Sequence, residues 1–239
     1  MTWSDRLDLF SQLDALAVAT ILVLWIATGW LIEHPPKSRP SVSYLMRGHR
    51  QEWMRQMVLR DPRIFDSQVL GSLRQGTAFF ASAALLAIGG GLALIGNVEQ
   101  LRGVVRDLTQ ETDPAIVWEI KLMLVLLFAV NAFLKFVWSN RLFGYCAVLM
   151  AAVPNSPEDP AAMPRAKKAG TLNITAARSF NRGLRSVYFA MAAAAWILGP
   201  AALILAAVFT TGVLWRREFA SQSRLALLAP EDGMTHTDS

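Results

Sequence analysis

Four apolar runs, each about as long as a membrane is thick, constrain this chain more than any other feature of its sequence. They cover residues 15–32, 77–95, 115–138 and 188–214. A helix of ~20 residues is long enough to cross the ~30 Å hydrocarbon core of a bilayer. The chain is also 54% hydrophobic and only 17% charged, which is too apolar for an ordinary soluble domain. The pattern predicts an all-α fold, an integral membrane four-helix bundle with amphipathic cytoplasmic connecting helices.

The four runs are spread along most of the chain, so we expect a single polytopic membrane domain over residues 1–215. Residues 216–239 form a polar tail that we expect to be disordered at its end. Short amphipathic helices are predicted at 4–13 and 97–112, where apolar side chains recur at helical spacing. Gly199 followed by Pro200 predicts a kink near the middle of the fourth span.

Positive charge is concentrated in two of the connections between runs. Residues 33–76 contain eight Lys and Arg and residues 139–187 contain seven, whereas the connection between the second and third runs contains two. The positive-inside rule therefore places 33–76 and 139–187 in the cytoplasm, with both termini outside, in the inner membrane of a bacterium.

Three cations do not fit this topology, because they follow the fourth run and would prefer the cytoplasm: Arg216, Arg217 and Arg224. The apolar segment 142–153 is too short to cross a bilayer as a helix, and we expect it to prolong the third helix or pack beneath it. A fifth crossing or re-entrant segment at 142–153 is the alternative, and it would bring the three cations to the cytoplasmic side.

The connection 41–76 is the most arginine-rich part of the chain, and its pattern predicts a basic amphipathic helix. Such a helix suits an anionic lipid surface or a groove on a partner protein. A second basic stripe, at helical spacing, follows in the later connection. The candidate lipid or partner contacts are Arg47, Arg50, Trp53, Arg55, Arg178, Arg182 and Arg185.

Asn131 and Lys135 lie one turn apart within the third run and form a candidate polar path, because polar groups at membrane depth often mark ion or substrate routes. Lys135 is also close enough to the inner end of the run to extend to the headgroups. Asp66 is expected to form a local salt bridge with Arg63. Glycines 89–91 lie inside an apolar run, where packing explains them best.

No catalytic, cofactor or metal site is predicted. The three histidines lie outside the runs, where they could not hold a transmembrane haem, and the lone Cys146 cannot form an internal disulfide or a multi-cysteine metal site. The net charge of +5 resides in connections between apolar runs, so membrane topology explains it better than nucleic acid binding.

Three segments give the chain a resemblance to a known family. The first segment ends in LRQGTAFFAS at 73–82 and is preceded by six single residues that also match: Arg50, Trp53, Met54, Arg60, Ile64 and Asp66. The second segment is FLKFVWSNR at 133–141, and the third is SFNRGLRSVYF at 179–189. Over residues 40–215 the chain resembles the bacterial and plant membrane proteins grouped as domain of unknown function 599. The resemblance implies a multi-span membrane protein and supplies no catalytic residues.

These features favour a non-catalytic accessory or scaffold component that presents a basic cytoplasmic cap to lipids or a partner. The expected partners are membrane lipids, with a membrane protein or a second copy of the chain as further candidates. A small transporter or channel with a path near Asn131 and Lys135 is the alternative. An enzyme acting on lipid headgroups has the least support, because no nucleophile and base stand out.

Overall fold

The structure is a computed structural model that describes residues 9–99, 103 and 114–230, and this part of the chain is helical, with no strand. We number the helices in chain order. They are α1 (Gln12–Glu33), α2 (Val42–Val58), α3 (Ile64–Gly96), α4 (Ala115–Ala151), α5 (Ala162–Ala194), a 3-10 turn (Ala195–Leu198), α6 (Pro200–Phe219) and α7 (Gln222–Leu228).

Three helices are long and apolar enough to cross a membrane: α1, α3 and α4, with mean hydropathies of 2.3, 2.1 and 2.2. They contain the first three predicted spans. The all-helical class is therefore confirmed and the three apolar helices support a membrane protein, whereas the four-helix bundle is not confirmed. Both α3 and α4 run well past their predicted spans, α3 at its start and α4 at its end.

Three of the described helices, α1, α2 and α7, begin at a serine whose side chain caps them. The side chain of Ser11 accepts a hydrogen bond from the Asp14 backbone N–H while Asp14 accepts one from the Ser11 N–H, a reciprocal pair that starts α1. Residues 9–11 are not helical, so the predicted helix 4–13 is wrong there, and the rest of it lies outside the described residues. Most of the predicted helix 97–112 and the predicted disordered tail also lie outside them.

The fourth predicted span is not one helix, because the chain reverses direction at Gly199. Gly199 has φ 111° and ψ 167°, and Pro200 occupies the first turn of α6. In a continuous helix Tyr188 and Arg217, which are 29 residues apart, would be separated by about 40 Å. Instead the guanidinium of Arg217 donates to the hydroxyl of Tyr188. The end of α5 and the whole of α6 therefore form an antiparallel hairpin, where the sequence predicted only a kink.

Residues 142–153 lie mostly in the last part of α4, as expected, and the alternative of a crossing or re-entrant segment there is wrong. This part of α4 packs against α2 and the start of α5. The cluster includes Phe143, Cys146 and Met150 from α4 and Met54 and Met57 from α2.

The α4–α5 pair forms the centre of the molecule. Ser139 Oγ donates to the Ala176 carbonyl oxygen at 2.8 Å, and Ser179 Oγ donates to the Lys135 carbonyl oxygen at 2.9 Å. Gly183 allows the close approach, because a Cβ there would lie 2.6 Å from the ring of Phe136.

The two described ends of the chain lie at opposite ends of α1. Near its start, Trp196 Nε1 in the hairpin turn donates to Asp14 Oδ1 at 2.7 Å. Near its finish, Arg39 donates to the carbonyl oxygen of Phe219, the last residue of α6. The hairpin returns the chain to the end at which α1 finishes. The predicted side of the two termini, which lie outside the described residues, stays a prediction.

Candidate functional site

Charged side chains of α1, α2, α5 and α6 converge where α1 finishes at Glu33 and α6 finishes at Phe219. We call this the basic end. Ser41 helps to position this end. Its side chain caps α2 by accepting a hydrogen bond from the Tyr44 N–H, and it donates one to the Ile32 carbonyl oxygen at 2.7 Å. The short turn after α1 is thereby fixed against α2.

Glu33 is the centre of the buried charge network. Its carboxylate accepts from Arg182 Nε at 2.7 Å and Arg185 Nη2 at 2.6 Å, and Arg182 Nη2 makes a further contact. Glu33 and Arg185 are only 8% and 6% exposed. A carboxylate at the C-terminus of a helix faces the negative end of the helix dipole, so the two arginines offset an unfavourable position.

Sequence reasoning singled out Arg182 and Arg185 but missed Glu33. The two arginines are three residues apart on α5 and so share one face, which explains why both reach the same carboxylate. The available signal was that Glu33 directly follows the first apolar run, where a charge needs a partner.

The returning helix α6 is joined to the same network. Glu218 accepts from the backbone N–H of Ser43 at 2.9 Å and from Ser43 Oγ at 2.8 Å. Asn181 Nδ2 donates to Ser43 Oγ at 3.2 Å. Arg224 Nε donates to the Pro40 carbonyl oxygen at 2.9 Å. These contacts hold the end of the hairpin against the turn between α1 and α2.

Asp66 also has a different partner from the one predicted. Its Oδ1 accepts from Arg60 Nη1 at 2.5 Å and from Trp53 Nε1 at 2.7 Å, and the residue is fully buried. Arg63, the predicted partner, instead donates to the carbonyl oxygens of Val153 and Pro154. The prediction chose the nearer residue in sequence, whereas Arg63 is directed across to the loop after α4.

Most of the candidate lipid or partner contacts have partners inside the protein. Arg50 Nη1 donates to Asn173 Oδ1 at 2.5 Å, and Arg47 Nη2 donates to the Glu33 carbonyl oxygen at 3.0 Å. Arg55 is exposed on α2 and pairs with Glu52. Their role toward lipids or a partner stays a prediction.

Two cavities meet at the Glu33 network. The first, which we call the arginine cavity, has a volume of ≈ 260 Å³ and is lined by Arg47, Arg50 and Arg178. The second, which we call the Asn131 cavity, has a volume of ≈ 360 Å³ and is lined by Asn131 and Lys135. Glu33 and Arg185 line both of them.

The chemistry of this site is that of charge recognition. Guanidinium groups bind phosphate and carboxylate through paired N–H donors. In residues 9–99, 103 and 114–230, no group of three or more His, Cys, Asp or Glu is placed to hold a metal ion. The polar side chains of the two cavities can orient an anion, and Ser186 Oγ donates to Asn131 Oδ1 at 3.0 Å in the second.

Comparison with known proteins identifies one relationship. The model of the family described as "Protein of unknown function, DUF599" matches residues 16–223, from within α1 to the start of α7. No curated protein matches the sequence. No solved structure matches it either.

Proposed function

This chain belongs to the DUF599 family, whose function is unknown, and we propose that it is a non-catalytic membrane component that presents a basic cytoplasmic end to lipids or a partner. The observation that carries the proposal is the reversal at Gly199. It brings the residues after α6 to the end of the molecule at which residues 33–76 and 139–187 meet.

This arrangement removes the conflict that the four-span topology created. Arg216, Arg217 and Arg224 now lie beside the two basic connections, in agreement with the positive-inside rule. We therefore propose five crossings in a bacterial inner membrane, formed by α1, α3, α4, the end of α5 and α6. The start of α1 faces outside, and the end of α6 faces the cytoplasm.

The exposed cations at the basic end supply the attraction to lipid. The surface at the start of α5 carries Arg165, Lys167 and Lys168, and Lys37 is exposed after α1. A basic residue beside an anionic leaflet contributes on the order of 1 kcal/mol. The Arg residues of the Glu33 network, by contrast, join α5 to α1 through ion pairs.

Reconstitution in nanodiscs tests this proposal. We expect the unfolding temperature to be higher in discs that contain phosphatidylglycerol than in purely phosphatidylcholine discs. High salt should reduce the difference, because it screens exposed charges, and the double variant Lys167→Gln/Lys168→Gln should reduce it at low salt. Equal unfolding temperatures in the two lipids would contradict a lipid-binding basic end.

A second candidate function, a small transporter or channel, is favoured by the Asn131 cavity. Asn131 and Lys135 line one cavity together with Glu33, Arg182 and Arg185, so polar groups continue from the middle of α4 to the basic end.

If Asn131 lines a polar path, the variant Asn131→Cys should react with a charged, membrane-impermeant thiol reagent. The matched control is Val130→Cys, whose side chain is 39% exposed on the outer surface of α4. Equal reaction at the two positions would count against a path, and the natural Cys146 is buried.

A further inference from the structure

The arginine cavity has more cations than its own carboxylates can neutralise. It lies between α2 and α5 beside the end of α6 and is lined by four arginines, Arg47, Arg50, Arg178 and Arg185, but only two glutamates, Glu33 and Glu218.

Both glutamates already have partners. Glu33 pairs with Arg182 and Arg185, and Glu218 accepts two hydrogen bonds from Ser43. Within the described part of the chain, Arg47, Arg50 and Arg178 form no ion pair with a carboxylate. Three guanidinium groups therefore share one cavity without a bound counter-charge from the protein.

Arg178 lines this cavity and has an unused donor. Its Nε is buried and has no acceptor, although buried N–H groups in proteins almost always have one. Burial lowers the pKa of Arg50. Burial, and then the positive charge of Arg178, lower the pKa of Arg47. An anion bound between these cations would relieve their mutual repulsion.

We propose that the arginine cavity is a binding site for a phosphate group, held by Arg47, Arg50 and Arg178. Guanidinium forks match phosphate oxygens, and three of them can surround one tetrahedral anion. A volume of ≈ 260 Å³ is below the range of ~300–1,000 Å³ usual for drug-sized ligands, so the ligand is a small anion or a lipid headgroup.

The phosphate can come from solution or from a lipid. The headgroup source rests on the proposed function, which places the basic end at the cytoplasmic leaflet. Binding of free phosphate does not need that placement, so the two proposals can fail separately.

The test uses the full chain in a maltoside detergent, which contains no phosphate. Inorganic phosphate is titrated by calorimetry, and short-chain phosphatidylglycerol is followed by native mass spectrometry after bound lipid has been removed. Arg178→Gln removes a cavity cation. Arg216→Gln is the matched control, because it removes a cation that is exposed at the same end but outside the cavity.

We expect at least one probe to bind the natural protein and Arg178→Gln to weaken binding about tenfold or more, as the loss of a charge-assisted contact predicts. Arg216→Gln should leave the affinity within about twofold, because an exposed charge contributes little. Arg178→Lys, which keeps the charge but loses the fork, should bind with intermediate affinity.

Folding is checked by the unfolding temperature. Without phosphate, Arg178→Gln should unfold at the same or a higher temperature, since it removes an unpaired cation. A ligand that binds the folded state should raise the unfolding temperature of the natural protein and not that of the variant.

Binding of phosphatidylglycerol alone would identify the headgroup as the source, and binding of inorganic phosphate would identify the free anion. Failure of both probes, or equal affinity in the Arg178 and Arg216 variants, would overturn the site in favour of a water-filled cavity.

Discussion

Glu33 shows how one residue can hold several helices together in a chain with few charges. It ends α1, it pairs with two arginines of α5, and its carbonyl oxygen accepts from Arg47 of α2. An uncompensated buried charge costs more than the pair itself gains, so the network is sensitive to loss of its single carboxylate.

At this scale we expect Glu33→Gln to destabilise the protein by about 3 kcal/mol, since it leaves Arg185 buried without its counter-charge. The measurement is the thermal unfolding of purified protein. Glu52→Gln is the control: hydrogen bonds from Arg55 and Gln56 lower the pKa of Glu52 to about 2, but the group is exposed and its loss should change little. The double variant Glu33→Gln/Arg185→Gln should recover part of the loss. Similar unfolding temperatures for the two single variants would contradict a structural role for Glu33.

The α5–α6 hairpin is the element that determines the arrangement of the bundle. Its turn depends on Gly199, whose φ of 111° is strained for any residue with a side chain. The two arms are joined at the far end by the Arg217–Tyr188 contact, and α6 packs against α1 through a cluster that includes Ala17, Ile21 and Leu203. The turn and the packing favour the same chain reversal.

Gly199→Ala should therefore lower stability by about 1–3 kcal/mol, the cost of holding a non-glycine residue in such a conformation. The control is Gly212→Ala within α6, where an added Cβ would meet nothing within 4 Å and where alanine is the better helix former. Unfolding of both variants in detergent, followed by circular dichroism, compares them. If Gly199→Ala is as stable as Gly212→Ala, the turn does not require a glycine.

In the whole molecule, the basic connections and the residues after α6 share one end, and the start of α1 lies at the other. In the proposed topology this arrangement requires an odd number of crossings. Because charge decides the orientation of membrane proteins, this end should face the cytoplasm.

Cysteine labelling in oriented membrane vesicles tests the five crossings. Ser156→Cys and Ser223→Cys, both at exposed positions, should react with an impermeant maleimide from the same face. Leu9→Cys, beyond the start of α1, should react only from the opposite face. Labelling of Leu9→Cys and Ser223→Cys from one face would restore the four-span topology, and the buried natural Cys146 should give no background.

Lys135 and Glu33 differ in how visible they are in the sequence, and this difference explains how much of the candidate site could be predicted. Asn131 and Lys135 stood out because polar residues inside an apolar run are conspicuous, and they do line a cavity. Glu33 lies at the edge of a run, where a charge is unremarkable. Its partner Arg182 is 149 residues away, a separation at which no local pattern reports a contact.

The sequence by itself determined the membrane class, the three helices that are apolar enough to cross a membrane, the basic character of the connections and the family, because length, hydropathy and charge act locally along the chain. Only the tertiary structure decided that Gly199 reverses the chain, that Asp66 pairs with Arg60 and that three arginines share a cavity. A glycine followed by a proline permits either a kink or a reversal. The outcome depends on which apolar surfaces α5 and α6 can bury against each other and against α1, and that is a property of the folded bundle.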